Sequence, residues 1–97
     1  MTIQIENLEN SVLVTLNGSL DTDAAMLAES QLLDIAPTDL TLDCTAVDYI
    51  TSSGLRLFLQ LMKKSRSVGK KVTLRGVQPS VMEILKVTHF DKMFTIE

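Results

Sequence analysis

The 97-residue chain has few of the side chains on which most disulfide, metal and catalytic sites depend. Its single cysteine, Cys44, rules out an intramolecular disulfide, which fits a reducing compartment. Its single histidine, His89, rules out a metal site of paired imidazoles and the HExxH zinc motif. Neither standard glycine-rich phosphate loop occurs, and the GxSxG elbow of serine hydrolases is missing. We therefore expect no enzyme activity, no catalytic residue, no metal and no cofactor.

Long apolar runs and a surplus of positive charge are also missing. No apolar run approaches the ~20 residues of a membrane helix, and the first residues do not resemble a signal peptide. The net charge of −3 and the lack of basic clusters interleaved with aromatic residues argue against nucleic-acid binding. The densest basic stretch, Lys63 to Lys71, falls at a predicted helix end, where cations complement the dipole. We interpret that stretch as a solvated last turn and expect a cytoplasmic protein without membrane insertion.

What the chain does contain is an alternation of strand and helix patterns in the order β-β-α-β-α-β-α-β. The predicted elements are a hairpin of strands near Ile3–Ile5 and Val12–Leu16, a helix over about Asp23–Leu33 in a unit ended by Pro37, a strand Leu40–Cys44, a helix over about Ser53–Val68, a strand Lys71–Arg75, a helix opening at Pro79, and a closing strand with Phe94 and Ile96. Helices between successive strands imply crossover connections and parallel pairing, whereas a hairpin is antiparallel. The pattern predicts one α/β domain over residues 1–97, a mixed sheet with an N-terminal hairpin and packed helices.

Apolar spacing predicts the buried face of each helix. The expected core positions are Ala24, Ala25, Ala28, Leu32 and Leu33 in the first helix, Leu55, Phe58, Leu59, Leu61 and Met62 in the second, and Val81, Ile84, Leu85 and Thr88 in the third. Cys44 ends a buried strand, so we predict a small core residue there rather than a nucleophile.

The most informative segment is Asp48–Arg56, in which an extended apolar stretch gives way to a helix. The change places Ser52 and Ser53 at or beside a helix N-terminus, where backbone N–H groups lack partners and the dipole favours negative charge. A serine in that position can cap the helix, or it can accept a phosphoryl group whose oxygens the free N–H groups stabilise. The local pattern leaves both alternatives open.

Acidic residues fall at the predicted strand ends and in loops, namely Asp21, Asp23, Asp43 and Asp48. They are interpreted either as caps and solvated side chains or, for a subset, as the surroundings of the serine site. In the second case they could bind a partner's metal–nucleotide complex or repel an added phosphate. Since Asp21 and Ser53 both follow strand carboxyl ends, we expect them on the same edge of the sheet.

Four separated stretches form a combined pattern, namely Leu16–Asp21, Leu40–Ile50, Thr51–Leu55, and Leu74–Val77 followed by Val81–Phe94. In these stretches the chain resembles the STAS family, the domain of anti-anti-sigma factors and of several transporter-associated proteins. Thr51-Ser52-Ser53-Gly54 looks like the family's D-S-S-G segment, in which a partner kinase phosphorylates the serine before the glycine. The resemblance implies that Ser53 is the phosphoacceptor and that Asp21 matches a nearby acidic position. Thr51 departs from the pattern, because phosphorylated members have aspartate there.

The function implied by this resemblance is that of an anti-sigma factor antagonist. Such a protein binds a kinase-like anti-sigma factor, an ATP-binding serine kinase, and so frees a sigma factor; a phosphatase would reverse the phosphorylation. The implied partner surface around Ser53 contains Asp21, Thr51, Ser52, Gly54 and Arg56. Gly54, which lacks a Cβ, is expected to let a partner's backbone or a phosphate approach closely. The alternative implied by the family is a small STAS subunit that docks permanently onto an ABC-type lipid transporter ATPase.

Overall fold

A computed structural model describes residues 1–35 and 38–97 of the chain, so that Pro37, predicted to end the first helical unit, lies outside the described residues. The elements are β1 (Thr2–Asn7), β2 (Ser11–Asn17), α1 (Thr22–Leu32), β3 (Asp39–Ala46), α2 (Ser52–Arg66), β4 (Val72–Arg75), α3 (Pro79–Val87), a 3₁₀ turn (Phe90–Lys92) and β5 (Thr95–Ile96). Their order confirms the predicted alternation, and the 3₁₀ turn before β5 is an addition to it.

The sheet has five strands in the order β1-β2-β3-β4-β5. β1 pairs antiparallel with β2, whereas the β2–β3, β3–β4 and β4–β5 pairs are parallel. The predicted mixed sheet with an N-terminal hairpin is therefore confirmed. Because the parallel strands share one direction, their carboxyl ends meet at one edge of the sheet, and α1 and α2 both begin there.

The core lies on one face of the sheet, because burial alternates along the central strands. The buried apolar strand residues of this core are Val12, Val14 and Leu16 of β2, Leu40, Leu42 and Cys44 of β3, and Val72 and Leu74 of β4, and Thr73 between the last two is buried as well. α2 contributes Phe58, whose ring packs edge-to-face on Phe94 with centroids 6.3 Å apart. Phe58 is 1% exposed, so it anchors the middle of α2 in this core as predicted.

Several predicted boundaries and faces need correction. α1 ends at Leu32, and Leu33 is a half-buried C-cap residue whose N–H donates to the carbonyl of Glu29. α2 ends at Arg66 rather than Val68, and Leu57, which was not predicted, is buried in place of the half-buried Leu59.

The third helix also differs from its predicted face. Val81 and Leu85 are buried, but Ile84 is only half-buried and Thr88 is exposed. Thr88 follows the last residue of α3, and its hydroxyl donates to the carbonyl of Ile84 at 2.9 Å. The helix stops there because His89 adopts a left-handed conformation with φ of 63°. Thr88 therefore forms its hydrogen bond at the exposed end of the helix and is not part of the core.

Candidate functional site

The two helix starts at the carboxyl edge of the sheet lie side by side. A parallel bridge joins Leu20 to Ile50, just beyond β2 and β3. The Leu20 N–H donates to the carbonyl of Tyr49 at 2.8 Å, and the Thr51 N–H donates to the carbonyl of Leu20 at 3.1 Å. The residues that follow, Asp21 and Thr51, are the N-caps of α1 and α2. Asp21 therefore shares the edge of the sheet with the Ser53 turn, as expected.

Asp21 caps α1 with its carboxylate. The backbone N–H of Ala24 donates to Asp21 Oδ1 at 2.8 Å, a short charge-assisted hydrogen bond. Asp23 adds a second acid in the first turn of α1. These two carboxylates complement the positive end of the α1 dipole.

Thr51, rather than either serine, caps α2. Its backbone is extended (φ −97°, ψ 174°), and its Oγ1 accepts from the N–H of Gly54 at 3.5 Å. The same hydroxyl donates to the carbonyl of Leu20 at 3.2 Å and so ties the start of α2 to the residue before α1. An aspartate carboxylate could accept from Gly54 but could not donate to Leu20. Thr51 thus caps α2 with a neutral side chain.

Ser52 and Ser53 are the first two residues of α2 and are free of the capping role. Ser52 is exposed and Ser53 is half-buried. Among the hydrogen bonds of residues 1–35 and 38–97, none involves the hydroxyl of either serine. The first turn of α2 contains no acid. Both hydroxyls therefore lack a hydrogen-bond partner among the described residues, at a helix end that favours negative charge.

Gly54 serves the protein's own packing, and the expectation that its missing Cβ makes room for a partner is wrong. Gly54 is buried. A Cβ built on it would lie 2.8 Å from Ile50 Cγ1 and 2.8 Å from Leu20 Cδ2. The first turn of α2 can approach the Leu20–Ile50 bridge closely because position 54 has no side chain.

Arg56 is exposed in the second turn of α2. It lies three residues after Ser53 and four after Ser52, the spacings at which side chains of a helix are neighbours. Within the part of the chain that the structure describes, the ion pair found is Arg75–Glu97, and Arg56 belongs to none. Arg56 is therefore a positively charged neighbour of both serines along the helix.

Asp48 connects its own loop to the loop before α1 and to the first turn of α3, a role that the sequence did not reveal. Its Oδ1 accepts from the hydroxyl of Ser19 at 2.9 Å, and its carbonyl accepts from Ser80 at 3.4 Å. Ser19 and Ser80 are separated from Asp48 by 29 and 32 residues. Tyr49, the next residue, is 54% exposed. The serine turn is therefore flanked by acidic side chains and one exposed aromatic ring.

Cys44 is a core residue, as predicted. Its side chain is 1% exposed, and its Sγ lies 3.6 Å from the carbonyl of Leu42. Burial, with a smaller contribution from the neighbouring Asp43 carboxylate, raises the pKa of the Cys44 thiol to about 12. Hydrogen bonds from the Thr45 side chain and backbone hold the pKa of Asp43 below its usual range. A thiol that stays protonated at neutral pH is a poor nucleophile.

Metal-binding clusters and membrane-crossing helices are both missing from the described residues. No three His, Cys, Asp or Glu side chains of residues 1–35 and 38–97 are grouped so that they could hold a metal ion. Of the helices described, none is both long and apolar enough to cross a membrane.

Comparison with known proteins gives a consistent assignment. The sequence model of the STAS domain matches residues 2–97. A protein of Bordetella bronchiseptica, BtrV, named as a proposed anti-sigma factor antagonist, is 26% identical over 99 residues, covering 99% of this chain and 85% of BtrV.

Solved structures share the fold at low sequence identity. A proposed anti-sigma factor antagonist of Thermotoga maritima superposes with a TM-score of 0.89 at 20% identity, over 97% of this chain and 84% of that protein. The phosphorylated form of the Bacillus cell-fate determinant SpoIIAA superposes with a TM-score of 0.76 at 16% identity, over 99% of this chain and 91% of SpoIIAA.

Proposed function

The chain belongs to the STAS-domain family, and we propose that it is an anti-sigma factor antagonist switched by phosphorylation of Ser53. The proposal rests on the different roles of the hydroxyl residues at the start of α2. Thr51 caps the helix, so the hydroxyls of Ser52 and Ser53 stay free in a first turn that contains no acid. A regulatory interaction module, rather than an enzyme, is the function that such a site supports.

A phosphate on Ser53 would be stabilised in the free protein and would obstruct a complex. It would carry about −1.5 to −2 charge at pH 7, next to the free N–H groups of the α2 first turn. Arg56, one turn further along α2, would offer a counter-charge. In an interface, the same phosphate would have to shed its water beside Asp21 and Asp48, which already make this edge negative.

The proposed partner is a kinase-like anti-sigma factor, an ATP-binding serine kinase. The chain would bind it when unphosphorylated and so free a sigma factor; after phosphorylation of Ser53 it would release the kinase, and a phosphatase would reset it. The names of BtrV and of the Thermotoga protein support an anti-sigma factor as the partner, and the phosphorylated form of SpoIIAA supports a switch by phosphorylation. The same partnership would place the protein in the cytoplasm, where sigma factors act.

A permanent docking subunit of a transporter ATPase is the second candidate, and Thr51 is the observation that favours it. The family's aspartate at this position is replaced by a residue that preserves the cap but lacks the charge. If that charge assists phosphoryl transfer, this chain would use the same surface without being switched.

Binding of purified partners to charge variants tests the proposal. Wild type and Ser53→Ala should both bind a kinase-like anti-sigma factor from the same genome, and Ser53→Asp should bind more weakly. The Asp side chain carries one charge and lacks the third oxygen of phosphate, so its effect should be smaller than that of phosphorylation. Ser30→Asp is the matched control, because Ser30 is exposed near the other end of α1.

Two outcomes would contradict the proposal. Equal weakening by Ser53→Asp and Ser30→Asp would show a general charge effect rather than a switch at the start of α2. Binding to an ABC-type ATPase that is insensitive to both variants, with no binding to any kinase-like anti-sigma factor, would establish the docking subunit.

A further inference from the structure

Positive charge gathers at the end of α2 opposite the serines. The cations of this end are Lys63, Lys64 and Arg66 of α2, Lys70 and Lys71 after it, and Lys92 of the 3₁₀ turn. Lys64 has a structural task, because its Nζ donates to the carbonyl of Ile35 at 2.7 Å and to that of Leu33. Arg66 is held in place by a hydrogen bond from Nη2 to the carbonyl of Met93 at 3.2 Å. The remaining cations make no hydrogen bond through their side chains among the described residues.

Four of these cations line one cavity of about 220 Å³, namely Arg66, Lys70, Lys71 and Lys92. Its apolar wall includes Met62 and Met93. Of the described residues, no acidic one lines it. Four cationic residues around one space favour an anion there, because they give it a positive potential.

An apolar groove of about 470 Å³ adjoins the basic cavity. Leu59, Met62 and Met93 line it, together with Lys63, Arg66 and Ser67. Met62, Arg66 and Met93 line both spaces, so the two are direct neighbours. The surface thus offers a place for an anionic group and, directly beside it, a place for an apolar chain.

We propose that this end of the molecule binds a small anionic amphiphile, with its phosphate or carboxylate head among the four cations and its apolar tail on Met62 and Met93. A concave, cation-lined space suits a compact head group, whereas a stable protein partner would cover about 800 Å² per side. Met62 and Arg66 lie nine and thirteen residues after Ser53 in α2, so about 14 to 20 Å along the helix axis separate this site from Ser53. The inference is independent of the switch proposed for the serine.

Methionine methyl resonances provide a direct test, because Met62 and Met93 line the site and Met26 and Met82 lie elsewhere. Protein labelled with ¹³C-methyl methionine is titrated with monododecyl phosphate below its micelle concentration, and in parallel with inorganic phosphate and with dodecanol. The amphiphile should shift Met62 and Met93 in a saturable way, and raised salt should weaken its binding because the head-group contacts are ionic. Inorganic phosphate and dodecanol should bind more weakly than the molecule that combines their groups.

Charge reversal identifies the head-group site. Lys70→Glu and Lys92→Glu should each weaken amphiphile binding by about tenfold, since each turns an attraction into a repulsion. Lys86→Glu is the matched control, because Lys86 lines a different cavity with Val77 and Met82. It should leave the affinity unchanged.

Three results would overturn the inference. They are equal shifts of all methionine methyls, equal weakening by Lys86→Glu, and binding of acidic peptides tighter than that of the amphiphile. The source of the ligand is settled with vesicles containing phosphatidylglycerol. Vesicle binding without monomer binding would replace the cavity ligand by a membrane surface and contradict the proposal. Loss of the Ser53 switch would leave all of these results unaffected.

Discussion

α1 and α2 begin side by side at one edge of the sheet, and their first turns differ in charge. α1 has an aspartate cap, Asp21, and a second acid, Asp23, in its first turn. α2 has a neutral cap, Thr51, followed by Ser52 and Ser53, with no acid in its first turn. The negative charge that a helix N-terminus favours is therefore present in α1 and missing from α2. A phosphate on Ser53 would supply the first turn of α2 with the negative charge that the start of α1 already contains.

The two helices also differ in what they bury. α1 packs three alanines and Leu32 against the core, whereas α2 packs larger side chains, including Phe58. A helix with small buried residues packs at a short distance but removes little apolar area from water. A helix with large buried residues removes more apolar area from water and is stabilised more strongly by it. The serine turn is therefore carried by the more strongly anchored of the two helices.

Truncation of the α2 anchor should produce the largest effect. Phe58→Ala should lower the free energy of unfolding by about 3–5 kcal/mol, because it leaves a cavity beside Phe94. Met26→Ala, on the exposed side of α1, should change it by less than about 0.5 kcal/mol. Urea unfolding of both variants measures the difference, and similar values for the two would show that the anchoring contrast is wrong.

A side chain at position 54 should disturb α2 and leave α1 in place. Gly54→Ala would set a Cβ against Ile50 and Leu20, and we expect a net destabilisation of about 1–2 kcal/mol after allowing for the helix propensity of alanine. Ser52→Ala in the same turn is the control and should be close to neutral, because its hydroxyl has no partner among the described residues. Denaturation midpoints report both effects. A stable Gly54→Ala variant that fails to bind its partner would restore the idea that a partner needs this space.

Removal of the N-cap side chains should give the smallest losses of stability, and the loss should differ between α1 and α2. Asp21→Ala should cost about 1 kcal/mol and Thr51→Ala somewhat less, because the Ala24–Asp21 hydrogen bond is 2.8 Å and the Gly54–Thr51 bond is 3.5 Å. Thermal unfolding of the two variants measures the order. A larger loss from Thr51→Ala would mean that its hydrogen bond to the Leu20 carbonyl, rather than the cap, dominates.

Much of the fold could be predicted because the spacing of apolar residues within short segments indicates the type of each element. The alternating apolar residues of β2 and the helical spacing of Leu55, Phe58 and Met62 fix element type and buried face within short windows. Thr88 was wrongly predicted to be buried because it falls at the spacing of the buried residues of the third helix. A threonine at that position can instead donate to a helix-end carbonyl, and it does so here because the left-handed conformation of His89 ends the helix. Element ends depend on such single residues, so they are less predictable than element types.

The site was less predictable, since its geometry comes from contacts between distant residues. Three hydroxyl residues in a row, Thr51 to Ser53, could each cap a helix, and the pairing of Leu20 with Ile50 selects Thr51. The same pairing occupies the space at Gly54, which local sequence presents as open. The hydrogen bond from Ser19 to Asp48 spans 29 residues and has no local pattern.

Mapping of the modified residue tests the central claim most directly. The protein and its Ser52→Ala, Ser53→Ala and Thr51→Asp variants are incubated with the kinase-like anti-sigma factor and ATP, and the modified residue is identified by mass spectrometry. We predict label on Ser53 in the wild type and in Ser52→Ala, none in Ser53→Ala, and faster labelling in Thr51→Asp, which regains the family's acid. Label on Ser52, or no label from a kinase that binds tightly, would contradict the assignment of Ser53 as the switch.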